Sequence, residues 1–120
     1  MIDILPNVAA ALSDIGRVEL QFPDVSADFP VITVAEIANV ADTVLDNADR
    51  LSDVTVQVDV WDNGDTPETA IDMAEKANNK LTALGLRRVS AQLFPDASGL
   101  QRKTMRFRGL IDEVSGRVYT

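Results

Sequence analysis

The sequence predicts an α+β fold: one domain with a mainly antiparallel sheet of four to five strands, two helices packed on one face, and a long hairpin arm. Three observations carry this expectation. Val54, Val56, Val58 and Val60 alternate with non-valine residues, two stretches (3–15 and 66–84) repeat apolar residues at helical spacing, and turn-forming segments divide the rest into strand-length pieces. At 120 residues the chain fits a single domain, 1–120, long enough to bury about two thirds of its unfolded surface without metals or cross-links.

The first helix is set by Ile4, Leu5, Val8, Ala9, Leu12 and Ile15, with Asp3 as a cap, Pro6 in the first turn and Gly16 ending the run. Val18 to Phe22 alternate as a strand before Pro23 and Asp24 open a loop running to Pro30, and a second strand follows at about 31–37. Residues 38–52 have neither clean period and read as a long hairpin arm or mobile loop. The strand at 53–61 puts its valines on one face and Thr55, Gln57, Asp59 and Trp61 on the other. Asp62 to Asp65 form a turn, after which Thr66 as N-cap and Pro67 begin a helix with an apolar stripe of Ala70, Ile71, Ala74, Ala77, Leu81 and Leu84. Gly85 suits the left-handed residue that closes it. Strands at 87–94 and 101–112 then pair as a hairpin across Pro95 to Gly99, with Val89, Ala91, Leu93, Met105, Phe107, Gly109 and Ile111 continuing the valine floor. Arg102, Thr104, Arg106 and Arg108 point outward, and Arg117 to Tyr119 add a short terminal strand.

Charge is divided along the chain. Residues 1–75 hold 16 acidic and 2 basic side chains, net −14, whereas residues 76–120 hold 3 acidic and 9 basic, net +6, within a total of −8. Complementary flanks suit head-to-tail association, which closes into a ring when the rotation between copies allows it. Pairing of the same charges inside one subunit is the competing use, and exposed pairs contribute only about 0–1 kcal/mol in either arrangement.

Composition removes much familiar chemistry. There is no cysteine and no histidine, so disulfides, thiolate metal sites, and the Ser-His-Asp and Cys-His nucleophile systems are excluded. An acidic pI near 4.3 argues against general nucleic-acid affinity, which depends on cations displacing counterions from phosphate. No apolar run approaches the roughly 20 residues of a membrane span, and the N-terminus lacks the basic region of a signal peptide. Asp59, Asp62 and Asp65 invite a calcium reading, but their spacing does not fit an EF-hand loop. Turn chemistry between a strand and a helix accounts for Asp62 to Asp65 instead. The basic strand does not read as a stacking platform for nucleic acid either, because Met105 and Phe107 face away from Arg106 and Arg108. Asp59 could satisfy one arginine within the subunit, and Trp61 falls on the same face, either as an association contact or covered by Tyr119 or the arm.

The order of elements, the strand Val58-Asp59-Val60-Trp61, and the closing Arg106-Phe107-Arg108 before Val118-Tyr119 resemble the tail terminator proteins of long-tailed bacteriophages. That resemblance implies a non-enzymatic virion protein with no cofactor and no catalytic residue. It implies a homo-oligomeric ring, a hexamer, that caps the tail tube, ends its polymerisation and joins the head connector or stopper protein, with DNA passing only through the lumen. Assembly would take place in the host cytoplasm. The interface expected on this reading brings Asp42, Asp46, Asp49 and Asp53 of one copy toward Arg87, Arg102, Arg106 or Arg108 of the next, with Trp61 nearby. Two alternatives stand beside it: a head-completion or other neck protein, and a monomeric acidic domain binding a cation or small ligand through Asp59, Asp62 and Asp65.

Overall fold

β3 (Asp49–Asp62) is the strand around which the chain is organised. In the computed structural model, which describes residues 2–20, 28–45 and 49–119 and omits the side chains of 42–45, 49–50 and 94–95, its four valines are fully buried. They form the floor of an apolar core closed by two helices, α1 (Leu5–Leu12) and α2 (Glu68–Ala83). β1 (Arg17–Glu19), β2 (Val31–Leu45), β4 (Arg87–Pro95), β5 (Gln101–Asp112) and β6 (Val118–Tyr119) complete a six-stranded sheet. Its order is β1-β2-β3-β5-β4, with β6 pairing the end of β5. All pairings are antiparallel except β1 with β2, which run parallel over Arg17–Glu19 and Val31–Thr33. The α+β class and the one-sided helical cover agree with the sequence, while the sheet has one strand more than expected.

The helix ends follow local chemistry. Asp3 Oδ1 accepts a hydrogen bond from the Leu5 N–H at 3.0 Å, answering one of the donors that a helix start leaves open. α2 begins one residue after Pro67, with no side-chain cap from Thr66. It ends where Gly85 adopts φ +98° and the Leu86 N–H reaches the Leu81 carbonyl, a closure that a residue without Cβ makes at little cost. Ala70, Met73, Ala74, Ala77 and Leu81 form the buried stripe of α2, whereas Ile71 and Leu84 are exposed. Its small alanines let the helix lie close over β3 and β5. Among the described residues no helix is long and apolar enough to cross a membrane.

Residues 38–45 and 49–52 form an arm, and their lack of period has a structural cause. β2 and β3 pair from Val31↔Trp61 to Leu45↔Asp49, with register shifts at Ile37 and Asp42. Each such bulge moves the following side chains to the opposite face and so erases the alternation expected of a strand. β5 accompanies β3 only as far as Leu51↔Asp112, so the end of the arm is a two-stranded ribbon and the molecule measures 54 × 24 × 23 Å.

The floor expected from β4 is corrected. Met105, Phe107, Gly109 and Ile111 of β5 are buried, but Val89, Ala91 and Leu93 of β4 are exposed. α2 covers β3 and β5 and reaches only part of β4, and a bulge at Val89 interrupts the β4 register. Truncation should separate the two strands. Phe107→Ala is expected to lower unfolding free energy by about 3–5 kcal/mol and Val89→Ala by no more than about 0.5 kcal/mol, read from urea denaturation midpoints. Equal losses would contradict this division of the core.

Candidate functional site

The face of the sheet turned away from the helices carries most of the residues singled out in the sequence. Strand parity places Trp61, Asp59, Gln57, Thr55 and Asp53 of β3 there, beside Arg102, Thr104, Arg106 and Arg108 of β5. Rungs run straight across three strands: Thr33↔Asp59↔Thr104 and Ala35↔Gln57↔Arg106. Neighbouring side chains on such rungs stand close enough to pair.

They pair within the subunit. Asp59, 5% exposed, accepts hydrogen bonds from Arg102 Nε at 3.1 Å, from Gln57 Nε2 at 2.9 Å and from the Thr104 hydroxyl. Arg102 also reaches Asp96 Oδ1 at 3.4 Å, and its guanidinium lies 4.5 Å from the centre of the Trp61 ring. Gln57 turns its carbonyl oxygen to Arg106 Nε at 3.2 Å. Arg108 grips Asp53 through both Nε and Nη2. Bidentate Arg–carboxylate geometry of this kind is among the more directional charge contacts available.

Electrostatics follow the geometry. The Arg108 hydrogen bond, helped by the charges of Arg108 and Arg87, holds the Asp53 carboxyl below the ordinary aspartate range against a smaller effect of desolvation. Asp96 is held low chiefly by hydrogen bonds from the Ser98 hydroxyl and N–H, with Arg102 adding to them. Among the described residues no buried side-chain nitrogen or oxygen lacks a hydrogen-bond partner.

The expected contact residues therefore divide. Arg102 and Arg108 make internal pairs with Asp59, Asp96 and Asp53, and Trp61 is 2% exposed. The Arg102 guanidinium lies over its ring, Tyr119 sits at the far end of β5 opposite Leu110, and the Trp61 indole N–H donates to the Thr33 hydroxyl at 2.8 Å. It is a buried strut and presents no open contact surface. Arg106 is exposed, and Arg87 is exposed on β4. Asp42 lies at the second bulge of β2, and Asp49 pairs with Leu45 at the last described rung of the arm; Asp46 lies outside the described residues.

The cation alternative loses its convergence. Asp59 and Asp62 are three residues apart on one extended strand, so they point to opposite faces. Asp62 instead accepts the Gly64 N–H at 3.2 Å, the turn bond expected of it. Among the described residues no three carboxylates are grouped to hold a metal ion. A depression of about 440 Å³ on the polar face is lined by Gln57, Ser90, Gln92, Arg102, Thr104 and Arg106. Its walls offer hydrogen bonds and positive charge.

Sequence reasoning overlooked Asp96, Gln57 and Thr33 as partners of the ladder. Asp96 had a readable signal, since in the turn Asp-Ala-Ser-Gly the first carboxylate caps the turn and lies within reach of the strand that follows. The chain matches no protein-family model and no curated protein.

Removing one member of the buried pair should cost far more than removing one member of the exposed pair. Arg102→Met, which strands Asp59, is expected to destabilise by about 3 kcal/mol, and Arg108→Met by no more than about 1 kcal/mol, in urea titrations at neutral pH. Indistinguishable losses would show that the network does not hold the outer face.

Proposed function

We propose that this chain is a non-enzymatic, ring-forming structural protein of a bacteriophage virion, acting as the tail terminator that caps the tail tube and meets the head connector. The observation that carries the reading is the shape of the sheet. Helices close one face, a polar network staples the other, and a two-stranded arm projects beyond the body. Such a subunit is a rigid wedge with a lever attached, suited to fitting against copies of itself and poorly suited to enclosing a substrate.

The element order supports the same reading. α1, two strands and an arm, the Val-Asp-Val-Trp strand, α2 and a closing hairpin followed by Val118 and Tyr119 are the features on which the resemblance to tail terminators rests. The charge division supports association between copies in a revised form. Part of the arginine ladder neutralises carboxylates of its own subunit, so contacts between copies fall to the acidic arm side and to Arg87 and Arg88 on β4. A net charge of −8 suits a lumen through which DNA passes without adhering, since like charge repels phosphate.

The test is assembly on its proposed substrate. Purified protein is mixed with tail tubes built from the tube protein of the same genome and imaged by negative-stain electron microscopy. A single added ring at one tube end, together with arrested elongation when free tube protein is supplied, is the expected result. Tubes that keep growing with no added density would refute the assignment.

A further inference from the structure

Both lateral edges of the sheet are open strands. On one side β1 covers β2 only at Val31–Thr33, and among the described residues no strand pairs that side of β2 from Val34 to Leu45. On the other side β4 pairs β5 and has no second neighbour among the described strands. An unpaired edge offers a row of N–H and C=O groups to another chain. Monomeric proteins usually shield such edges, yet here both carry exposed apolar side chains: Ile37 and Val40 (59%) on β2, and Val89 (47%) and Leu93 on β4.

The edges are complementary in direction, length and charge. β2 and β5 run one way and β3 and β4 the other. A second copy set beside the first in the same orientation therefore brings its β2 antiparallel to the first copy's β4. β4 has nine residues, and the uncovered part of β2, residues 34–45, is long enough to take them. Glu36 and Arg88 stand at opposite ends of one rung, Glu36↔Val56↔Phe107↔Arg88, and both are exposed. The basic start of β4 thus lies at the same height as the acidic half of the neighbour's β2. A slip of two rungs toward the arm carries residues 87–93 of β4 past β1 and onto residues 34–40 of β2, keeps like faces together and leaves Glu36 a diagonal neighbour of Arg88. The bulges on the two edges favour one register over indiscriminate stacking.

We propose that copies of this chain join head to tail by antiparallel pairing of residues 87–93 of β4 in one copy with residues 34–40 of β2 in the next, with Arg88 diagonal to Glu36. The joint extends one sheet through successive subunits, and its heterologous geometry closes into a ring when the rotation between copies divides a full turn. This interface deepens the ring reading and rests on its claim of self-association.

The chain contains no cysteine, so introduced thiols are unique. Val40→Cys and Val89→Cys, both at exposed positions, are prepared separately and treated with a short bismaleimide alone and as a mixture, at concentrations where sedimentation of the wild type is measured in parallel, with and without tail tubes. Covalent dimers in the mixture but in neither variant alone are the expected result. A charge exchange serves as the second measurement: Arg88→Glu weakens association by about tenfold or more, and adding Glu36→Lys to the same chain restores it. Wild-type oligomers without the mixed adduct, or with adducts between like variants, would overturn the edge pairing while leaving self-association standing. A wild type that sediments as a monomer under every condition, with no adduct, would overturn both.

Discussion

The alternation of β3 is the constraint on which the rest of the structure depends. Its valines, fully buried, fix which face of the sheet receives α1 and α2, and a slip of one residue would exchange every side chain between core and solvent. The same parity assigns Asp53, Gln57, Asp59 and Trp61 to the opposite face, directly beside the arginines of β5. One strand thereby organises an apolar core and a polar network back to back. Burial of Asp59 is tolerable because Arg102, Thr104 and Gln57 all donate to it, whereas an unpaired carboxylate there would carry a large desolvation cost.

Charge asymmetry along the chain acquires a different meaning in three dimensions. β3 supplies carboxylates from the acidic segment and β5 supplies guanidiniums from the basic one, and antiparallel pairing brings them together within one subunit. The division in the sequence is thus partly the signature of two neighbouring strands. On the proposed reading, contact between copies is displaced outward, to residues 34–45 of β2 and to β4, where exposed valines accompany opposite charges. Edges left unpaired among the described residues make lateral joining the route to assembly that this reading favours.

Legibility from sequence tracked how far each segment's environment was uniform. β3 from Asp53 onward and β5 alternate cleanly because one side meets helices and the other meets polar neighbours, so the buried Met105 and Phe107 and the outward Arg102, Thr104, Arg106 and Arg108 were readable. α2 was readable from its alanine and leucine stripe and Gly85. β2 was readable only over about 31–37, because bulges at Ile37 and Asp42 break the period of the rest. β4 misled in the other direction, since Val89, Ala91 and Leu93 look like core until the reach of α2 is known. Trp61 was ambiguous for a related reason: the guanidinium over its indole comes from Arg102, a residue 41 positions away. The pairing of Asp59 with an arginine was foreseeable from parity, and the recruitment of Asp96 depended on where the β4–β5 turn folds back.

Amide hydrogen exchange followed by mass spectrometry, comparing assembled protein with the same protein dispersed by dilution, addresses the lateral-edge account most directly. Slowed exchange confined to residues 34–45 and 87–95, with α2 and the centre of β3 unchanged, is what edge-to-edge assembly requires. Assembled protein whose β2 and β4 amides exchange as fast as those of dispersed protein would contradict it.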